Sequence, residues 1–313
     1  MSIATPQLTS KTVPANIKLP ELFWPEVNEA SLKNLPTMYD LPSENKTEEP
    51  GVPDEFHVFQ ANLLSDSYAL PNYPQEQIFT AADLNLYFNP KHPKWYKRPD
   101  WYAVVGVSRL YHGWDMRSSY VVWDEGIPPY IVIEFLSPSS MDEDLGRTEE
   151  KSGQPPPKWK VYEQILKIPY YLLFDRRTDQ LQAFKLINHK YERIMIAKNR
   201  LWLPELKVGI GLWKGKYKGI YRQWLRWYDT DDNWLATPIE LERQAKRKVE
   251  RQVEQERQAK RKVERQVEQE RQAKRKVERQ VEQERQAKEQ ERQAKEKLAA
   301  KLRELGIDPN NLG

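Results

Sequence analysis

The chain has 313 residues and no cysteine, which excludes a disulfide frame, a thiolate metal site and a cysteine nucleophile. Its net charge of +4 is unevenly spread: residues 239–313 carry 22 Lys/Arg and 16 Asp/Glu, a net +6, and the remainder carries 28 and 30, a net −2. All Trp, Tyr and Phe lie before residue 235, so a core-forming domain is expected there, and the last quarter cannot build a globular core alone. No apolar run approaches the roughly 18 residues that span a bilayer. The opening MSIATPQLTSKTVPANIKLP lacks the charged-then-apolar order of a signal peptide, and a soluble, cytoplasmic protein is expected.

Residues 1–55 are rich in proline and polar residues and have no sustained period. They are expected to form an extended wrap, with short elements near PELFWPEV and MYDLPSE. In FHVFQANLLSDSYAL (56–70), Phe56, Phe59, Leu63 and Leu64 recur at helical spacing and predict a core helix. Strand-like runs follow at DLNLYFN (83–89), DWYAVVGV (100–107), SYVVWDE (119–125), YIVIEFL (130–136), YYLLFD (170–175), LQAFKLI (181–187) and YERIMIA (191–197). A helix in KWKVYEQILKI (158–168) starts just after PPP. This order predicts a mixed α/β domain over residues 56–237. Its tryptophan-rich end (201–235) includes LWKGKYKGIYRQWLRWYD, which fits either sheet packing or a basic-aromatic surface for nucleic acid.

From residue 238 the chain changes character. QAKRKVERQVEQER occurs at 244–257, 258–271 and 272–285, a period of two heptads, and glycine and proline are absent between Pro238 and Gly306. One long helix over 238–313 is expected. Ala245, Val249 and Val253 share a stripe on which Gln252 and Glu256 are polar, so a coiled coil and a solvated single helix both remain open. Leu298, Leu302 and Leu305 form a short apolar stripe before Gly306 and Pro309 stop the helix. The repeated KRK triplets suit phosphate contacts or, with their interspersed glutamates, a solvated face.

There is no Gly-rich phosphate loop and no GxSxG elbow, and His57, His92, His112 and His189 stand at no metal-binding spacing. What remains is carboxylate chemistry on strands. Side chains of a strand alternate faces, so in PYIVIEFLSP Ile131, Ile133 and Phe135 point one way and Val132, Glu134 and Leu136 the other. Both faces read as buried, so Glu134 needs a cationic partner. Asp100 opens a strand, and Lys158 and Tyr162 lie one helical turn apart. Two carboxylates on neighbouring strands can hold a hard divalent cation, and a nearby lysine can orient water or offset developing charge. Spacing alone leaves an ordinary alternative open for each: Asp100 as a turn residue after Pro99, Glu134 as half of a structural ion pair with Lys158 or Arg147, Lys158 as a solvated residue of a first helical turn, Tyr162 as core. Asp175 reads as the end of a strand and the start of a turn.

RPDWYAVVGV, PYIVIEFLSPSSMDEDLGR and KWKVYEQILKIPYYLLFDRRTDQLQAFKLINHKYERI resemble the Uma-type family of restriction-endonuclease-like proteins, over about residues 80–200. LAAKLRELGIDP resembles the end of a long-tailed subgroup of that family. The resemblance implies a PD-(D/E)XK nuclease-like fold, a mixed sheet flanked by helices. It also implies Asp100 and Glu134 as ligands of Mg²⁺ or Mn²⁺, and Lys158 as the catalytic lysine. The strict motif wants lysine two residues after Glu134, where Leu136 stands. The family's alternative position on the following helix matches Lys158 through its spacing to Tyr162. The insertion TEEKSGQPPP (148–157) lengthens the gap before it, which leaves Asp144 and Arg147 as alternates. An upstream glutamate completes some sites of this fold, and Glu55 is the nearest candidate.

The leading expectation is therefore a metal-dependent endonuclease acting on DNA, with the tail joining copies of the chain or a partner helix. The competing expectations are a non-catalytic nucleic-acid-binding or scaffolding module and a purely structural protein oligomerising through the tail. The missing lysine at 136 and the −2 charge of the globular part favour the first of these, the non-catalytic module.

Overall fold

A computed structural model describes residues 35–41, 54–138 and 140–304. Most of the expected N-terminal wrap, including PELFWPEV, therefore lies outside the described residues, as do Leu305 and the helix stop at Gly306. The chain divides into two units, residues 1–240 and 241–313.

The first unit is built on a mixed six-stranded sheet, in the order β1 (Ile78–Ala81), β4 (Trp101–Val105), β6 (Ile131–Phe135), β7 (Tyr170–Asp175), β8 (Gln180–Ile187) and β9 (Lys190–Ile194). Within it only β6 and β7 pair in parallel; their neighbours are antiparallel. A parallel pair needs a crossover. Here it holds two short helices, α3 (Met141–Asp144) and α4 (Lys158–Lys160), the second running on into a π-helical turn, Val161–Ile165. A small sheet joins β2 (Leu86–Tyr87), β3 (Tyr96–Lys97) and β5 (Tyr120–Val121). The tryptophan-rich segment is a third sheet of β10 (Arg200–Leu203), β11 (Val208–Tyr217) and β12 (Ile220–Tyr228).

The alternation read from β6 holds. Ile131, Ile133 and Phe135 enter one apolar core, together with Phe56, Leu63 and Leu64 of helix α1 (Glu55–Ser67) and Trp224, Leu225 and Trp227 of β12. Val132 and Leu136 enter a second core with Tyr162, Leu166 and Leu173. Trp224 and Trp227 thus pack inside the protein, as ordinary sheet residues do. Lys214, Lys216, Lys218 and Tyr221 of the same segment stay exposed. Polar bonds fix α1 between its neighbours. Gln60 donates to Leu225 O at 2.8 Å and accepts from Leu225 N at 2.9 Å, and Trp227 Nε1 donates to Leu64 O at 3.0 Å.

Two expected strands are shorter than their composition suggests. In SYVVWDE only Tyr120–Val121 is strand, and Val122–Glu125 turns into a single helical turn, α2. Gly126, at φ 72°, closes that turn in the left-handed region open to glycine. Tyr111 to Asp124 and Arg117 to Glu125, both at 2.6 Å, tie its acidic residues to the preceding loop. Tertiary hydrogen bonds here override β-branched propensity. DLNLYFN contributes only Leu86–Tyr87, because Asn89 accepts from Lys91 N at 3.0 Å and bends the chain away.

Helix α5 runs from Pro238 to Glu304, 67 residues and about 100 Å at 1.5 Å per residue. It starts in a reciprocal cap. Thr237 Oγ1 accepts from Glu240 N at 3.4 Å, and Glu240 Oε2 accepts from Thr237 N at 2.8 Å, with Pro238 in the first helical position. No residue of α5 is buried. Bonds such as Gln258 to Glu254 and Gln272 to Glu268, both 3.1 Å, recur with the repeat.

Replacing Gln60 by leucine strands the N–H and C=O of Leu225 in the core. The expected cost is about 2–4 kcal/mol in urea unfolding; an unchanged midpoint would show that Gln60 does not couple α1 to β12.

Candidate functional site

β4 and β6 pair Trp101 with Ile133 and Tyr102 with Val132, so the next step of that register sets Asp100 opposite Glu134. There the two side chains replace backbone pairing. Phe135 N donates to Asp100 Oδ2 at 2.6 Å, and Asp100 N donates to Glu134 Oε2 at 3.1 Å. The clasp holds both carboxylates at the end of the ladder. Tyr162 of the π-helical turn donates its hydroxyl to Glu134 Oε1 at 2.9 Å.

Lys158 reaches this cluster from the crossover. Its Nζ lies 3.1 Å from Glu134 Oε2 and 2.8 Å from Asp144 Oδ1. Leu136, where the strict motif wants lysine, is in the apolar core, and its N–H donates to Phe174 O at 2.9 Å. Asp144 ends α3, and Tyr171 donates to its carbonyl at 2.9 Å. The loop after it is tight. Gly146 sits at φ +70°, where a Cβ would meet the Trp159 ring at 2.8 Å. Glycine thus lets the chain turn from Asp144 and pack against the residue that follows Lys158. Glu143 adds a brace, accepting from Lys158 N at 3.1 Å and from Lys97 Nζ at 2.6 Å.

Burial sets the electrostatics. Glu134 and Asp144 have 0% side-chain exposure, Lys158 13% and Asp100 19%, so the cluster opens to solvent at Asp100. Burial pushes the Glu134 carboxyl well above the usual carboxylate range. Lys158 opposes this, and Asp144 and Asp100 add to it. Asp100 is raised by burial against the pull of Lys158 and the Phe135 N–H. Burial alone would lower Lys158, but Glu134, Asp144 and Asp100 override it and hold the ammonium charged. Three carboxylates face one ammonium, a formal charge of −2 when all are ionised. Among the described residues, Asp144 Oδ2 is buried with no hydrogen-bond partner and Asp100 Oδ1 accepts no hydrogen bond.

A histidine completes the rim. His57 Nε2 lies 3.2 Å from Phe135 O and 4.0 Å from Asp100 Oδ2. Its Nδ1 lies 2.9 Å from Asp54 Oδ1, the carboxylate that caps α1 and pairs with Arg176 at 2.7 Å. Glu55, the upstream glutamate of the sequence reading, is exposed; the residue that α1 turns toward the site is His57. Arg147 is also remote, 64% exposed and 3.6 Å from Asp142. Asp100, Glu134 and Lys158 are thus brought together, with Tyr162, Asp144 and His57 around them. Asp175 accepts from Arg177 N at 2.9 Å, which starts the turn after β7. The Asp54–His57 spacing at a helix start was visible in the sequence, but nothing local shows that the ring meets β6.

This fold and cluster define a mixed-sheet protein with paired carboxylates and a helix-borne lysine at one end of the sheet. Residues 24–214 match the family described as "Uma2: Putative restriction endonuclease"; the match covers more than half of the chain, which belongs to that family. Among solved structures, the chain is similar to one described as "a putative nuclease belonging to DUF820" from Anabaena variabilis ATCC 29413. The two share 15% identity over 49% of this chain and 74% of that one, with a TM-score of 0.31. No curated protein matches. Among the described residues no helix is long and apolar enough to cross a membrane.

Lys158→Met leaves Glu134 and Asp144 buried without their cation, and is expected to cost about 3–5 kcal/mol in denaturant unfolding. Glu134→Gln keeps the acceptor for Tyr162 but turns an amide N–H₂ toward the Asp100 N–H and Lys158; because Asp144 still pairs with the ammonium, it should cost less. The opposite order would show that the ammonium does not neutralise this cluster.

Proposed function

We propose that this protein is a metal-dependent nuclease that hydrolyses DNA phosphodiester bonds at the Asp100–Glu134–Lys158 cluster. The observation that carries this reading is the excess of three carboxylates over one ammonium in a buried cluster open at Asp100. Membership of the Uma2 family supports it.

The donor set fits a hard divalent cation. Among the described residues no group of three or more His, Cys, Asp or Glu side chains has the arrangement of a metal site. Mg²⁺, however, is commonly held by one or two carboxylates and fills its remaining positions with water and substrate oxygens. Asp100, through its uncommitted Oδ1, and Glu134 would hold Mg²⁺ or Mn²⁺. When bound, such an ion polarises a phosphate oxygen and lowers the pKa of water. The chain's own groups do the rest. The Phe135 N–H orients Asp100, and the Tyr162 hydroxyl and Asp100 N–H orient Glu134. Lys158, kept charged by its neighbours, sits beside Glu134 to orient the attacking water and to offset negative charge on the phosphate in the transition state. Being held in advance by Asp144, it costs little reorganisation at that moment.

A second reading is favoured by one feature. Glu134 is fully buried with both oxygens engaged, as in a structural ion pair. The chain would then be a non-catalytic nucleic-acid-binding or scaffolding module.

Plasmid cleavage in Mg²⁺ or Mn²⁺ separates the two. The nuclease reading expects cleavage by the wild type and a loss of roughly 10²–10³-fold in Lys158→Ala, with Asp100→Asn and Glu134→Gln inactive yet folded. A wild type that neither cuts DNA nor gains thermal stability from either cation would leave the structural reading.

A further inference from the structure

The repeat helix carries a pattern that the globular unit does not use. With Val249 at heptad position d and Val253 at a, every a and d position from 246 to 288 is valine, lysine or glutamate. The distribution is strict. Valines fill both positions of alternate d–a pairs: 249 and 253, 263 and 267, 277 and 281. Between them d is always glutamate (Glu256, Glu270) and a is always lysine (Lys260, Lys274). All six valines are at least 41% exposed. The stripe that looked interrupted is therefore an ordered alternation of apolar and charged layers.

The geometry of helix pairing turns this order into a choice of direction. In a parallel pair, a faces a and d faces d. Each charged layer would then set lysine against lysine and glutamate against glutamate, which is repulsive. In an antiparallel pair, a faces d. Valine then meets valine, and every lysine meets a glutamate. Register follows as well. Pairing Val249 with Val281 of a second copy also pairs Val253 with Val277 and Val263 with Val267. The same register sets Glu256 against Lys274 and Lys260 against Glu270. A shift of one heptad puts every valine against a charge. A shift of two heptads keeps the layers matched but leaves two valines of each chain unpaired. The chain cannot supply this partner to itself, because α5 is one unbroken helix from Pro238 to Glu304.

We propose that α5 is the docking surface for a second copy of this chain, as an antiparallel two-stranded coiled coil with its twofold axis at residue 265. The proposal does not rest on the nuclease reading.

The native chain has no cysteine, so introduced ones report on pairing directly. In the full-length protein, Val249→Cys and Val281→Cys variants are prepared singly and co-expressed, then mildly oxidised. The expected result is an interchain disulfide in the co-expressed sample, at least tenfold above either variant alone. In an antiparallel pair of Val249→Cys chains the two introduced thiols lie 32 residues apart along the helix, about 48 Å. Efficient cross-linking of the Val249→Cys variant to itself would establish a parallel pair and overturn the proposal. So would a wild type that sediments as a monomer at tens of micromolar. The charged layers give an independent check. Lys260→Glu with Lys274→Glu sets glutamate against glutamate and should dissociate the dimer while the tryptophan fluorescence of the folded globular unit persists. Adding Glu256→Lys and Glu270→Lys should restore it, and failure to restore would overturn the register.

Discussion

Placing an ammonium group between two carboxylates that see no water is the arrangement on which the first unit turns. Glu134 sits in β6, an inner strand of the sheet whose residues are all buried, and Asp144 ends a helix in the crossover that follows it. Burying carboxylates in a dry interior is costly unless a cation lies beside them. Lys158 serves both at once, and in doing so ties the two halves of the β6–β7 crossover together. The side-chain clasp of Asp100 and Glu134 ends the β4–β6 ladder at the same point. Fold and site are therefore held by one set of charges.

The position of the lysine has a structural reason. Two residues after Glu134 the strand returns its side chain to the same face, where Leu136 packs into the second core. An ammonium is instead delivered from a helix start, and that start must be aimed. Gly146 and Trp159 lock together where the loop leaves Asp144, and Glu143 accepts the Lys158 N–H. The inserted residues 148–157 lie between these two fixed points, so their length does not displace the ammonium. His57 closes the rim from α1 because Asp54 both caps that helix and engages the ring.

The second unit obeys different rules. Its helix has no buried residue, and its order comes from local bonds: the Thr237–Glu240 cap, the i,i+4 side-chain pairs of the repeat and high intrinsic helix propensity. Within one helix, Glu256 and Lys260, and Glu270 and Lys274, are spaced i,i+4 and support it locally, while the six valines remain exposed. The proposed antiparallel pairing would give those valines a partner.

Much of this was legible before any coordinates. Strand alternation put Glu134 on a buried face, helical spacing found α1, and the two-heptad period found α5. These are one-dimensional periodicities, set by backbone geometry that every chain shares. Asp100, Glu134 and Lys158 could be chosen only with the help of a family resemblance, since three such residues recur by chance in many α/β chains. Asp144 was an alternate, His57 was set aside, and Glu55 proved to be exposed. SYVVWDE read as a strand because propensity cannot see the hydrogen bonds that bend it. Composition, periodicity and the charge pattern of the tail were thus determined by the sequence itself, through interactions between near neighbours. The convergence of Lys158, Asp144 and His57 on the Asp100–Glu134 clasp was decided by tertiary structure alone, because contacts across 14 to 78 residues of chain follow from how the sheet and its crossover pack.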